Sequence, residues 1–230
     1  MNKRKIRITE DGSTTLELIG KDENFHSTHG AIQESEHIFI KNGLLKKAQE
    51  RKEISIFEMG FGTGLNALLS GLFAIKNDIQ LNYFSIEAYP IELELIEMLN
   101  FSERLELSIE LERQFNALHL SNWHQRIEIN PNFSFEKRKI KLEDFKFPKE
   151  AFDLVYFDAF NPDLQPELWT EEIFRKIYQA MKPQGILMTY SAKGKVKRAL
   201  KAAGFSLNAL PGPPGKREIT QAIKLVDFKT

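Results

Sequence analysis

The apolar runs ISIFEM at 54–59 and FDLVYFDAF at 152–160 are the features that most constrain the fold of this chain. The second run is almost unbroken, which is typical of a strand that is covered on both faces. Helical patterns follow the strand patterns, as in LNALLSGLFAI at 65–75 and EEIFRKIYQAM at 171–181. Strands that alternate with crossover helices predict a doubly wound α/β sheet whose strands are mostly parallel.

Further strand patterns complete the predicted sheet. They are LNYFSIEA at 81–88, FSFEKRKIKLEDF at 133–145 and GILMTYSA at 185–192. The last two runs, FSLNAL at 205–210 and EITQAIKLV at 218–226, are joined by PGPPGKR with no helix between them. We therefore expect an antiparallel hairpin at the C-terminal edge of the sheet.

The N-terminal segment lies outside this alternation. IRITEDGSTTLELI at 6–19 alternates around a Glu-Asp-Gly turn signal and predicts a β-hairpin. Apolar residues between 32 and 39 then recur at helical spacing. We expect an N-terminal extension of hairpin and helices over residues 1–50, packed on a core domain over residues 51–230.

The composition allows one core and excludes several kinds of site. A chain of 230 residues with 42% hydrophobic content can bury one sizeable core. The absence of Cys excludes disulfides, Cys-ligated zinc and a thiol nucleophile. The charged start MNKRKIRITEDG lacks the apolar core of a signal peptide, and no run has the length of a membrane span. We expect a cytoplasmic protein with no membrane association.

Basic residues are concentrated in one interval of the chain. Basic and acidic side chains both number 32, yet no acidic residue lies between Glu172 and Glu218, where ten basic residues do. Such a block can form a phosphate-facing surface or a solvated face that is balanced by acidic neighbours. Charge alone favours the second interpretation.

The loop FEMGFGTGLN at 57–66 joins the first strand of the alternation to its helix. In open parallel sheets, ligands bind at this position, near the carboxyl ends of the strands. Leu65 stands where a dinucleotide fingerprint has its third glycine, and no Gly-Lys-Ser/Thr follows as in a phosphate loop. The spacing therefore disfavours both dinucleotides and nucleoside triphosphates.

The remaining pattern, E-x-G-x-G-x-G from Glu58 to Gly64, resembles motif I of the class I S-adenosylmethionine-dependent methyltransferases, which have a Rossmann-like fold. S-adenosylmethionine has no phosphates, and a carboxylate beside the loop tolerates its cationic sulfonium. The resemblance implies S-adenosyl-L-methionine as the cofactor. The candidate cofactor-binding residues are Glu58, Gly60, Gly62, Gly64, Asn66, Glu87, Asp144 and Asp158.

Acidic residues follow three of the predicted strands. Glu87 ends the second strand, where a carboxylate can accept both ribose hydroxyls. Asp144 lies in the predicted loop after the third strand, where such enzymes often bind the adenine amino group, and Asp158 leaves the fourth strand beside the methyl donor. Each residue also has a plain structural alternative, as a helix cap or a turn residue.

The segments FHSTHGAIQES, EMGFGTGLN, DAFNPDLQPELW and TYSAKGKVKRALKAAGF with PGPPGKRE together resemble a more specific family. They are similar to the methyltransferase part of MnmC and to its stand-alone form, MnmD, from about Phe25 to Ile223. That family methylates the 5-aminomethyl group of the wobble uridine in tRNA, giving 5-methylaminomethyl-2-thiouridine. The resemblance implies binding to the anticodon region of tRNA. The fused form continues into a flavin-dependent oxidase domain, whereas we expect this chain to perform the methyl step alone.

The resemblance also implies roles for residues around the methyl acceptor. Asp158 is expected to position the amine and to accept the proton that methylation releases. The basic interval is then expected to contact phosphates, and the isolated pair of His26 and His29 predicts no metal site. The candidate substrate-binding residues are His26, Ser27, Glu34, Phe160, Pro162, Tyr190, Lys193, Lys216 and Arg217.

Other functions are compatible with the same pattern. A class I methyltransferase could act on a small-molecule or protein amine. An aminopropyl transferase shares the glycine loop and the strand-end Asp, but it needs an acidic polyamine pocket, which the lysine-rich C-terminal part disfavours. A non-catalytic RNA-binding module could retain the loop as a relic. The sequence does not indicate an oligomeric state.

Overall fold

The computed structural model describes residues 3–21 and 23–226. The strands are β1 (Arg4–Ile8), β2 (Thr14–Leu18), β3 (Glu23–Asn24), β4 (Glu53–Met59), β5 (Gln80–Glu87), β6 (Arg126–Asn130), β7 (Phe133–Lys139), β8 (Phe152–Phe157), β9 (Met181–Thr189), β10 (Ser206–Pro211) and β11 (Glu218–Ile223). The helices are α1 (Ala31–Ser35, the π-helical segment Glu36–Leu44 and Leu45–Ala48 in succession), α2 (Leu65–Asn77), α3 (Leu93–Ile96), α4 (Phe101–Arg104), α5 (Ile109–Leu120), α6 (Glu171–Ala180) and α7 (Gly194–Ala202).

The main sheet has the strand order β10-β11-β9-β8-β4-β5-β7-β6. Its central strands β9, β8, β4, β5 and β7 are parallel, while β11 and β6 pair antiparallel with their neighbours. The first strand of this sheet in the chain is β4, and β5 pairs on one side of it. The chain then forms β6 at the edge and β7 between β6 and β5, and it returns to the other side of β4 with β8. The topological switch point therefore lies between β4 and β8, where ligands bind in folds of this kind. The predicted doubly wound sheet and its C-terminal antiparallel hairpin are confirmed.

The central strands are buried because both faces of the sheet are covered. Along β8, Leu154 and Tyr156 pack into one hydrophobic cluster, with side chains from α1, α2 and α5. Val155 and Phe157 point to the opposite face and pack with side chains from α6 and α7. Burial of each such side chain contributes roughly 1.5–3 kcal/mol, which explains the unbroken apolar run of this strand.

The N-terminal hairpin is also confirmed, with Ile6 opposite Leu16 in an antiparallel β1–β2 pair that β3 extends. Asn100, just before α4, fixes this small sheet to the rest of the molecule. Its Oδ1 atom accepts a hydrogen bond from the Thr14 N–H at 2.8 Å, and its Nδ2 atom donates to the Gly12 carbonyl at 2.9 Å. This attachment brings the residues after β3 over the carboxyl end of the main sheet.

The third strand is shorter than the predicted 133–145, because β7 ends at Lys139. Leu142 is buried and starts a single 3₁₀ turn, Leu142–Asp144, that packs under the sheet edge. Apolar residues continue past the end of β7 at Ile140, Leu142 and Phe145, so the sequence does not mark where the strand ends. The turn changes the direction of the side chains at 143 and 144.

Candidate active site

A cavity of about 970 Å³ lies at the carboxyl ends of β4, β5 and β8, under the segment that follows β3. This volume is at the upper end of the range for small-molecule sites, so it can hold a cofactor and the reacting part of a second molecule. The predicted site residues that line it are His26, Ser27, Glu34, Gly60, Gly62, Asn66, Glu87, Asp158, Phe160, Tyr190 and Lys216. The predicted residues that do not line it are Glu58, Gly64, Asp144, Pro162, Lys193 and Arg217.

The glycines of the 57–66 loop are required for different reasons. Gly60 has a φ of +92°, and a Cβ there would lie 2.8 Å from the carbonyl oxygen of Asp158. Gly64 has a φ of +73° and precedes α2, where a Cβ would lie 2.8 Å from Nε2 of His119. Gly60 therefore allows β4 and β8 to approach each other at the cavity, whereas Gly64 allows α5 to pack behind the loop.

Glu87 holds the loop and also faces the cavity. Its Oε2 atom accepts a hydrogen bond from the Gly62 N–H at 3.1 Å, and its Oε1 atom accepts one from the Tyr89 N–H at 2.8 Å. The carboxylate therefore lies at the carboxyl end of β5, next to the backbone of the glycine loop. This is the position in which a carboxylate can accept the hydroxyls of a ribose.

The acidic residue of this turn that lines the cavity is Glu143 rather than Asp144, the expected adenine contact. Asp144 is exposed and does not line the cavity, whereas the side chain of Glu143 does. In a 3₁₀ turn, successive side chains diverge by about 120°. Leu142 and Glu143 both line the cavity, so the next side chain in the turn, Asp144, is turned away from it.

Glu58 is not a cavity residue, which corrects the expectation that its carboxylate faces the cofactor. It is fully buried in β4, and its Oε2 atom accepts a hydrogen bond from Ser85 Oγ at 2.7 Å. Burial raises the pKa of Glu58 to about 8, so the carboxyl is mainly neutral at pH 7. The Glu58 side chain is buried on one face of the sheet. The side chain of the next residue, Met59, points to the opposite face and lines the cavity.

Asp158 follows β8 and is the carboxyl at the centre of the cavity. Its Oδ2 atom accepts a hydrogen bond from Asn66 Nδ2 at 2.9 Å. Burial raises its pKa to about 7, and the Glu34 carboxylate adds to this shift, while the Asn66 hydrogen bond and the Lys216 ammonium oppose it. Such a carboxyl can accept and release a proton near neutral pH.

A second carboxylate and a cation lie near Asp158. Glu34 in α1 accepts a hydrogen bond from the Ser27 N–H at 2.6 Å and forms an ion pair with Lys216 at 2.8 Å. The Lys216 Nζ atom lies 5.3 Å from the ring centroid of Tyr190, whose hydroxyl donates to the Ala159 carbonyl. Lys216 is thus partly buried at the cavity, where the Glu34 carboxylate neutralises its charge and the Tyr190 ring packs against it.

His26 connects the N-terminal sheet to the glycine loop. Its Nδ1 atom lies 3.0 Å from Thr15 Oγ1, and its Nε2 atom lies 3.3 Å from Thr63 Oγ1. Burial lowers the pKa of His26 to about 4, so the ring is neutral at pH 7. It can fix the position of the loop, but it carries no charge to a substrate.

The structure adds Phe25 to the site, which sequence analysis missed. Its ring packs edge-on against Phe160 with centroids 5.0 Å apart, and both rings line the cavity. Trp169, by contrast, belongs to the core and donates Nε1–H to the Phe160 carbonyl at 2.9 Å. Pro162 is also buried, in the loop after β8. Only the position of Phe25 at the start of FHSTHG could have indicated its role.

Most of the basic residues in the interval 173–217 form ion pairs with carboxylates of this chain, so few of their charges are unpaired. Lys193 and Lys195 both pair with Asp163. The remaining pairs in the interval are Arg175–Glu171, Lys176–Glu172, Lys182–Asp153, Lys197–Glu218 and Lys216–Glu34. Among the described residues, ion pairs are absent from the interval only at Arg198, Lys201 and Arg217.

A sequence profile described as "S-adenosyl-L-methionine-dependent methyltransferase" matches residues 110–225. The chain belongs to this family. As a methyltransferase of this family it uses S-adenosyl-L-methionine, and the cradle of Gly60, Gly62 and Glu87 fits that cofactor because it leaves backbone and a carboxylate exposed to the cavity. In the described part of the chain, no helix could cross a membrane and no group of three His, Asp or Glu side chains could hold a metal.

The methyltransferase is similar to one part of several longer proteins. It is 32% identical over 218 residues to the tRNA 5-methylaminomethyl-2-thiouridine biosynthesis bifunctional protein MnmC of Cupriavidus metallidurans, covering 87% of this chain and 31% of that protein. The MnmC of Ralstonia nicotianae is 28% identical over 223 residues, covering 91% of this chain and 33% of the relative. The chain thus spans about a third of the length of these relatives.

Solved structures support the same fold. The crystal structure of MNMC2 from Aquifex aeolicus has a TM-score of 0.76 and 26% identity, covering 96% of this chain and 70% of that one. Spermidine synthase from Thermotoga maritima has a TM-score of 0.56 at 16% identity, covering 99% of this chain and 71% of that one. The second likeness shows only a shared fold.

Proposed function

We propose that this methyltransferase transfers the methyl group of S-adenosyl-L-methionine to the 5-aminomethyl group of the wobble uridine in tRNA. The observation that carries the proposal is Asp158, a carboxyl with a pKa of about 7 that lines the cavity and accepts a hydrogen bond from Asn66, at the start of the helix after the glycine loop. The similarity to MnmC proteins, whose name refers to tRNA 5-methylaminomethyl-2-thiouridine biosynthesis, supports this acceptor.

The nucleophile in this reaction must be a neutral amine. An alkylamine with a pKa near 10 is only about one part in a thousand neutral at pH 7, which costs about 4 kcal/mol. Alignment of the amine with the methyl group can supply roughly 7–11 kcal/mol of the barrier. The acceptor end of the cavity must therefore bind the amine in its neutral form and direct the lone pair.

Asp158 is suited to both tasks. As a carboxylate it accepts an N–H of the amine, which directs the lone pair towards the methyl carbon. Bound S-adenosyl-L-methionine would supply an electrophilic methyl group, whose bond to sulfur would break as the amine bonds to carbon, and Asp158 would accept the proton of the resulting ammonium. The Lys216–Glu34 pair next to it is internally neutral, so it adds little charge against the incoming amine.

The methyl donor and the acceptor base are bound at opposite ends of the cavity in this proposal. We assign the ribose to Glu87, the adenine to Glu143, and the methionine part to the backbone of Gly60 and Gly62. Phe25 and Phe160 provide ring edges and faces for a base at the acceptor end, since single-stranded RNA is commonly bound by aromatic contacts. On this proposal, residues 1–50 are an extension that supplies acceptor contacts to the catalytic domain at 51–230, and the enzyme acts in the cytoplasm on the anticodon region.

The decisive experiment is incubation of the protein with S-adenosyl-L-methionine and tRNA from cells that lack this activity, followed by nucleoside mass spectrometry. We expect 5-aminomethyl-2-thiouridine to be converted to 5-methylaminomethyl-2-thiouridine. A parallel reaction without tRNA, supplied with small alkylamines, is the control. Methylation of the small amines with no change in the tRNA would contradict the proposed acceptor.

A further inference from the structure

A group of buried polar side chains lies beneath the glycine loop, next to the cavity that Asn66 lines. Glu58 accepts the Ser85 hydroxyl on Oε2, and its Oε1 atom is buried with no hydrogen-bond partner of acceptable geometry. The same is true of Asn66 Oδ1 and Tyr83 Oη, and both of these side chains lie next to the Glu58 carboxyl. Unpaired polar atoms at one buried position are costly, so their grouping needs an explanation.

A proton on Glu58 accounts for two of these atoms, Glu58 Oε1 and Asn66 Oδ1, while the Tyr83 hydroxyl interacts with the same carboxyl. Asn66 directs its Nδ2 atom to Asp158, so its Oδ1 atom needs a donor on the other side. An ionised Glu58 has only acceptor oxygens and cannot donate to Asn66. A protonated Glu58 can donate Oε1–H to Asn66 Oδ1, and it places no charge in the interior of the sheet.

We propose that Glu58 is a neutral carboxylic acid that locks the Asn66 amide with its NH₂ group towards Asp158. It is therefore a positioning residue for Asp158, and this inference depends on the proton-accepting role of Asp158 in the proposed function. An NH₂ group that donates to Asp158 favours the carboxylate, the form that can accept a proton. If the Asn66 amide were flipped, its Oδ1 atom would face Asp158. That arrangement would favour the protonated form of Asp158, which cannot accept a proton.

Other charged or titratable groups also face these two carboxyls. Asp158 is influenced by Glu34 and Lys216, and it lies near Tyr190. Glu58 interacts with Tyr83 and Tyr156 as well as with Asp158. These neighbouring groups are unchanged in variants at position 58. A change in the pH profile of such a variant therefore reports on the hydrogen bonds that connect Glu58 to Asp158 through Asn66.

Three variants at position 58 separate the effect of hydrogen-bond donation to Asn66 from the effects of side-chain charge and side-chain volume. Glu58→Gln keeps a donor of the same shape, because its amide NH₂ can replace the carboxyl O–H towards Asn66. Glu58→Met keeps the side-chain length without a donor, and Glu58→Ala removes the volume as well. We expect Glu58→Gln to retain turnover on tRNA to within a few-fold. We expect Glu58→Met to lose about tenfold or more, with the acidic limb of kcat/KM moved to higher pH by about one unit.

Difference infrared spectroscopy of the wild type against Glu58→Gln tests the protonation state directly. We expect the wild type at pH 7 to show the carbonyl stretch of a protonated carboxylic acid, shifted in D₂O and absent from Glu58→Gln. Carboxylate bands alone, or a loss in Glu58→Gln as large as in Glu58→Met, would overturn the inference. A wild type inactive on tRNA would count against the proposed function, while the infrared result would still decide the state of Glu58.

Discussion

Asp158 combines a strand-end position with a hydrogen bond from Asn66 and a pKa of about 7. Its raised pKa comes first from burial and second from the Glu34 carboxylate. A carboxyl in this range exchanges protons at the pH at which the enzyme must work. The chemistry of the site therefore depends on this one ionisation more than on any other group in the cavity.

We expect Asp158→Asn to lower kcat by about 100-fold or more, in line with the usual contribution of general base catalysis. The Asn side chain can still bind an amine but cannot take its proton. In the wild type, kcat/KM should rise as the pH increases through about 7, because only the ionised carboxyl accepts a proton. Measured kcat/KM from pH 5.5 to 9 tests both points.

Isothermal calorimetry with S-adenosyl-L-methionine provides the control for the Asp158 variant, because cofactor affinity should change only a few-fold. If the acidic limb of the profile persisted unchanged in Asp158→Asn, the limb would belong to another group. The role of Asp158 as proton acceptor would then be wrong.

At the scale of the elements, β7 and α5 are joined by a buried cation. Lys137 is almost fully buried, and its Nζ atom donates to the carbonyls of Leu118 at 2.8 Å and His119 at 2.5 Å. These carbonyls belong to the C-terminus of α5, where a positive charge also interacts favourably with the helix dipole. The contact holds His119 behind Gly64, so it connects the stability of α5 to the position of the glycine loop.

We expect Lys137→Met to reduce the free energy of unfolding by about 1–3 kcal/mol, because two buried carbonyls lose their donor while the side-chain length is kept. Urea denaturation followed by circular dichroism measures the change. Lys139→Met, on an exposed position of the same strand, is the matched control and should be nearly neutral. Equal stability of the two variants would show that the Lys137 contacts contribute nothing net.

The elements near the site differ in how far the sequence determines them. The strands β4 and β8 follow from local apolar runs, and the glycine loop follows from its spacing. The sequence predicts that Glu58 lies near the carboxyl end of β4, but it does not predict that the side chain is buried outside the cavity. The face of a strand to which one polar side chain points depends on its neighbours Ser85 and Tyr83 on β5, which no local pattern contains.

At the scale of the whole molecule, the surface charge is less basic around residues 175–217 than the sequence suggests. Lys193, Lys195 and Lys197 are paired with carboxylates from other segments, and Lys216 is inside the cavity. These pairs join residues that are distant in the chain, which is why charge counting along the sequence could not identify them. Arg217 is exposed and has no ion pair among the described residues.

We expect Arg217→Ala to weaken tRNA binding and to reduce the slope of log K against log salt by about one, as for the loss of one phosphate contact. Lys193→Ala is the matched control, because Asp163 already neutralises that ammonium, and it should change the slope less. Filter binding over a series of salt concentrations measures both. Equal changes in the two variants would contradict the assignment of Arg217 as a phosphate contact.

The Glu34–Lys216 ion pair joins α1, which precedes the main sheet, to the turn between its last two strands. Bringing Glu34 and Lys216 together closes a long loop of the chain, which costs conformational entropy. Contacts between segments that are distant in the sequence also form slowly in folding. The glycine loop and Glu87 are close in the chain and can meet early. On a ribosome, the methyl-donor half of the cavity could therefore be in place before the chain is able to discriminate between acceptors.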